Sequence, residues 1–354
     1  MRAVLSVGAR HIGVLLLLLL GPAQAETRLT GYGSFVIGKT LSGDSFLSDY
    51  PKTGIYDKDW SSSPDTSIGI QLISTLDDHY DFVVQLNAHG AREYDPEISW
   101  AYLNYYINPE LSLQIGRKRL PLYYYSDFFD VGYAYYWIRP PADNYTWQIS
   151  HYNGLSLLYE TQFGVVDTAI NFYTGREDSR DNDLLSYLGH NEVDETWKNM
   201  FGLVAEFNYR WFNFRITTMR SELDRRINGS LLVQNRLQQF GGISINLTPG
   251  RFTLLSEFNG YRRDDDNIKI HTRMLSMAYA IGDFKPYVTY SDFEQDLTAA
   301  GGDEAHSTRS VGVRWDFDRN LALKIQYDDT RDDGVTSPLL GDSELLAIGI
   351  DVVF

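Results

Sequence analysis

The feature that most restricts this chain is a rhythm of short strands. Apolar and polar residues alternate through segments of about ten residues, and the connections between segments are short and long by turns. Read this way, strands cover residues 29–40, 66–75, 80–89, 98–107, 111–120, 152–162, 165–173, 199–209, 212–222, 237–247, 251–261, 269–281, 285–293, 307–317, 321–329 and 344–354. The short connections carry Asn-Pro, Pro-Gly and Gly-Asp pairs, which end strands for steric reasons. The intervening connections are longer and polar.

Strand side chains point alternately to two faces. The last segment sets Leu346, Ile348, Ile350, Val352 and Phe354 on one face, against Leu345, Ala347, Gly349, Asp351 and Val353. In 307–317, Val311, Val313, Trp315 and Phe317 oppose Ser310, Gly312, Arg314 and Asp316. A soluble sandwich alternates as well, with its apolar faces turned inward. Length separates the two cases. A tilted membrane strand needs about 9–11 residues, whereas ordinary strands average about 5–6. An even strand count with two classes of connection predicts an all-β fold: a closed transmembrane antiparallel up-and-down barrel of about 16 strands. An open edge facing lipid would leave backbone groups without partners, so the first and last strands must pair. A barrel of this girth is too wide for its wall side chains to fill.

Residues 1–25 read as a signal peptide. Arg2 and Arg10 precede an apolar run, and Ala23-Gln24-Ala25 forms a small-x-small cleavage site. Residues 26–354 then form the barrel domain. Removing Arg2 and Arg10 from a formal charge of −16 leaves −18. That balance argues against nucleic acid as a partner and for a mild cation preference. There are 0 cysteines, so neither disulfides nor thiolate chemistry is available. The His residues show no metal spacing, and neither a metal nor a cofactor is expected. The acidic run at residues 264–266 reads as a solvated loop. Ser150 and His151 are neighbours in sequence and make a poor catalytic dyad, since adjacent strand residues diverge. No enzyme is expected.

Two segments carry a family resemblance. Residues 29–35 (LTGYGSF) resemble the Gly-containing first strand of Gram-negative bacterial porins, and residues 350–354 (IDVVF) resemble their terminal strand ending in Phe. The long segment after the fifth strand sits where porins fold a loop into the lumen. The resemblance covers nearly the whole mature chain. It implies a homotrimer of 16-stranded barrels in the outer membrane, each a water-filled channel for small hydrophilic solutes and ions. The implied partners are the lipid bilayer, lipopolysaccharide, and the barrel assembly machinery acting through Phe354.

The segment 121–150 is too aromatic for a freely solvated loop. Folded inward, its Tyr125, Asp127, Asp130, Tyr135, Arg139 and Asp143 are the expected constriction. Arg215, Arg314 and Lys324 fall on polar faces by parity, and Arg117, Lys118 and Arg119 lie at the loop's mouth; these are the expected pore wall. A field between acidic loop and basic wall would filter ions. Trp100, Trp211, Trp315 and Phe354 suit interfacial girdles. Two other functions fit the same pattern: a channel specific for sugars or aromatic solutes, and an outer-membrane hydrolase.

Overall fold

The computed structural model describes residues 26–189, 191–263, 268–297, 303–334 and 341–354. The expected signal peptide and the acidic run at 264–266 lie outside these residues. Eighteen strands follow in chain order: β1 (Glu26–Ser42), β2 (Phe46–Asp49), β3 (Gly54–Tyr56), β4 (Ser67–Asp77), β5 (Tyr80–His89), β6 (Pro96–Asn108), β7 (Leu111–Arg119), β8 (His151–Phe163), β9 (Val166–Ser179), β10 (Val193–Tyr209), β11 (Phe212–Ile227), β12 (Ser230–Leu247), β13 (Phe252–Arg263), β14 (Ile268–Tyr279), β15 (Phe284–Leu297), β16 (Glu304–Asp318), β17 (Leu321–Asp332) and β18 (Ser343–Val353). Sixteen of them close into one antiparallel barrel. β2 and β3 form a separate hairpin inside the first outer loop.

Closure comes from β1 against β18, in a register running from Tyr32↔Val353 to Thr40↔Leu345. One further pair extends the seam. Gly31 N donates to Phe354 O at 2.7 Å, and Phe354 N donates to Gly31 O at 2.9 Å. The terminal ring lies on Gly31, where a Cβ would sit 2.3 Å from Phe354 Cζ. Glycine at this position is therefore explained by a close approach within the seam.

The strand faces follow the period-two pattern. Phe35, Ile243, Phe258, Val288, Val311 and Ile350 are exposed on the outside. Ser276, Ser291, Lys324, Gln326 and Asp351 are buried on the inside. A greasy exterior around a polar interior is the reverse of a soluble sandwich and matches a lipid-embedded barrel. Trp100 departs from the girdle expectation. It pairs with the inward Gln85 and packs beside Tyr102, so it stands on the lumen face. A bulge at Ser99 resets parity just ahead of it. Trp315 stays outside, stacked on Phe284 at 5.6 Å.

Strands run longer on the outer-loop side than alternation indicates. Residues 223–235, read as a loop, continue β11 and β12 to a two-residue turn at Asn228 (φ 49°) and Gly229 (φ 77°). Asn-Gly favours this left-handed pair, whose twist suits a hairpin. The stretch 174–198, also read as a loop, contains the ends of β9 and β10 and a short helix α1 (Asp183–Gly189). β10 runs through a bulge between Lys198 and Phe201, with Asn199 at φ 51°.

Candidate functional site: a loop docked across the lumen

Residues 120–150, the third outer loop, fold into the barrel. Leu120 N donates to Ser150 O at 2.8 Å and closes the loop's base. Two short 3-10 turns, Ser126–Phe128 and Gly132–Ala134, compact the middle. The remaining loop carbonyls and amides need partners once water is excluded, and inward wall side chains supply them.

Three wall cations grip loop carbonyls. Arg215 on β11 donates Nη2 to Pro121 O at 2.7 Å. Arg314 on β16 donates Nη1 to Tyr133 O at 2.6 Å and Tyr135 O at 2.8 Å, while its Nε binds Asp316 at 2.7 Å. Lys324 on β17 is 1% exposed and donates Nζ to Gly132 O at 2.7 Å and Trp137 O at 2.6 Å. Its counter-ion is Asp351 on β18 at 2.6 Å, which also accepts from Ser34 Oγ at 2.6 Å. Gly132 makes this approach possible. A Cβ there would lie 2.2 Å from Ser34 Oγ and 2.4 Å from Asp351 Oδ1.

The loop's charged side chains are also paired. Asp130 accepts from Asn87 Nδ2 at 2.8 Å and pairs with Arg119. Burial opposes its charge, yet Arg119 holds the carboxyl well below the usual carboxylate range. Arg139 bridges Asp65 of the first outer loop and Asp328 of β17, both at 2.8 Å. Burial nonetheless pushes the Asp65 carboxyl up, with Arg139 acting against it. Asp143 accepts from Ser291 Oγ at 2.6 Å and meets His306 Nδ1 at 2.7 Å; the His306 Nε2 contacts Tyr50 of the first loop at 2.5 Å. Asp127 is exposed. Tyr125 packs edge-on against Tyr135 and Trp137.

Arg117 and Lys118 bond along the wall. Arg117 donates both guanidinium ends to Glu177 at 2.9 Å. Lys118 bonds Gln114 and lies over the Tyr102 ring at 5.3 Å. Arg119, expected at the loop's mouth, joins the site through Asp130, and Glu257, Asp65 and His306 join it without having been singled out in the sequence. Glu257 had a usable signal, a lone carboxylate within a strand; Asp65 had none, because only folding brings the first loop to Arg139.

Glu257 marks a partition. It accepts from Tyr124 N at 3.2 Å and from Tyr145 Oη at 3.1 Å. On its outer-loop side is a cavity of about 220 Å³ lined by Tyr123, Trp147, Trp197, Phe240 and Tyr261. On the short-turn side is a second cavity of about 290 Å³, lined by Tyr124, Tyr125, Arg210, Lys285 and Arg314. Along β13, Leu255 faces the inner cavity and Asn259 the outer one, with Glu257 between them in sequence.

A closed sheet that is apolar outside, polar inside and crossed by a docked loop defines an integral outer-membrane β-barrel. Its particular architecture is that of the 16-stranded porins. No protein-family model matches the sequence, and no curated protein does. Solved structures match the fold across almost the full chain. The outer membrane channel DcaP of Acinetobacter baumannii superposes with a TM-score of 0.66 at 10% identity, over 94% of this chain and 99% of that one. An anion-selective porin from Comamonas acidovorans gives 0.60 at 11%, over 94% and 100%. The trimer form of OmpT, an outer membrane protein of Vibrio cholerae, gives 0.59 at 11%, over 93% and 99%.

Proposed function

We propose that the protein is a diffusion channel for small hydrophilic solutes and ions, working as a homotrimer. The observation that carries this reading is the partition. Two cavities lie within one polar lumen, one lined by Tyr123 and outer-loop residues, the other by Tyr124, Tyr125 and residues beside the short turns. Solutes would enter the aromatic outer cavity, pass the loop beside Glu257 and leave through the basic inner one. A wall of side chains held in mutual hydrogen bonds sets the size limit without chemistry at the solute, and the activity is passage rather than turnover.

The test is reconstitution. Purified protein in planar bilayers should give discrete ohmic conductance steps, and liposomes should swell in small sugars at rates that fall with sugar size. A folded barrel that passes neither ions nor sugars overturns the proposal. The aromatic lining of the outer cavity favours a second reading, a channel that recognises a ring-bearing solute. Saturable current block by one sugar or aromatic solute, lost in W147A, would mark that case.

A further inference from the structure

We infer that the inner cavity is a binding site for a small organic carboxylate, with Lys285 as its selecting charge. Three cations stand side by side on adjacent strands of the inner wall. The register pairs Lys285 on β15 with Arg314 on β16, and Arg314 with Lys324 on β17. Like charges directly opposite one another destabilise a sheet unless something neutralises them. Lys324 has Asp351, and Arg314 has Asp316 and two loop carbonyls. Lys285 has no hydrogen bond or ion pair among the described residues, and it lines the cavity together with Arg314 and Arg210.

Among the described residues, no carboxylate lines that cavity. Acids beside the lining are engaged: Asp316 by Arg314, Glu206 by Asn213 at 2.7 Å, and Glu257 by Tyr124 N and Tyr145 Oη. The rest of the lining combines apolar surface from Tyr124, Tyr136, Trp211 and Leu255 with the Asn246 amide and the Thr253 hydroxyl. The part-exposed Lys285 and the exposed Arg210, beside aromatic surface, suit an anion with an apolar body. A carboxylate bound between Lys285 and Arg314 would relieve their repulsion through charge-assisted hydrogen bonds. Locally, this reverses the cation preference that the overall acidic charge implies, because the excess acid lies elsewhere on the chain.

The transport consequence rests on the channel reading; binding itself does not. Calorimetric titration of the folded, detergent-solubilised protein with benzoate should show saturable binding, and benzamide, its neutral isostere, should show none. K285R should keep the site, and K285M should weaken benzoate by about tenfold or more. Equal binding of benzamide, or K285M indistinguishable from the parent, overturns the assignment. In a KCl gradient across a planar bilayer, the parent should give an anion-selective reversal potential, and K285E should move it toward cation selectivity. A cation-selective parent also counts against the site. A barrel that does not conduct defeats the channel reading alone, and the titration still decides the site.

Discussion

The docked loop makes a quantitative prediction at Lys324. Its ammonium is buried, holds the carbonyls of Gly132 and Trp137, and is neutralised by Asp351 at 2.6 Å. Replacing it by methionine keeps most of the volume and strips Asp351 of its counter-ion in a site 2% exposed. Breaking a buried pair from one side costs about 3–5 kcal/mol. The barrel is closed by many strand pairs, so the cost falls on the docked state of the loop. The population of undocked loop should then rise roughly 100- to 4,000-fold. Amide hydrogen exchange read by mass spectrometry on loop peptides spanning residues 123–140 reports that opening. K324M should lose protection there while peptides from β8 to β13 keep theirs. K324M/D351N should lose less than the two single variants combined, because no charge is left stranded. Unchanged loop protection in a folded K324M barrel would refute the view that this ion pair fastens the loop.

Two further outcomes follow from other contacts. G31V should displace the Phe354 ring from the β1–β18 seam and lower stability by about 1 kcal/mol, seen as heat-modifiable migration shifting at a lower temperature; a shift equal to that of the parent refutes the seam packing. Asp130 is held below the usual carboxylate range, so its contribution is present above the unfolded value and is lost as pH falls. The difference in unfolding temperature between the parent and D130N should hold steady down to about pH 4 and shrink below it; a difference that persists unchanged to acid refutes the pairing.

Much of the wall was legible in advance. All sixteen barrel strands lie where alternation puts them, because each strand has to satisfy lipid on one face and water or polar groups on the other. The turns at Arg210-Trp211 and Asn108–Glu110 were readable for a related reason: a chain reversing in two or three residues needs particular backbone conformations. Misreadings cluster on the outer-loop side. There β11 extends toward Asn228-Gly229 with charged residues on both faces, and β12 returns through a run of Leu231, Leu232 and Val233 that does not alternate, although the Asn-Gly pair itself was a signal.

The site was legible only as a list of members. Parity brought Arg215, Arg314 and Lys324 inside, and aromatic content brought residues 121–150 in after them. Sequence led to an expected field between wall bases and loop acids. The folded chain pairs the loop acid Asp130 with Arg119 at the end of β7, but sets Arg215, Arg314 and Lys324 on loop carbonyls and Asp143 on Ser291 and His306. Local sequence therefore determined the strands and their inward and outward faces, since each depends on neighbours one or two residues away. Tertiary structure alone decided which buried charge meets which partner, and left Lys285 with no hydrogen bond or ion pair among the described residues. Those pairings join residues up to 317 positions apart, as Ser34 to Asp351 shows. Such matches follow from where a closed wall brings distant segments within hydrogen-bond reach, and no local periodicity encodes that distance.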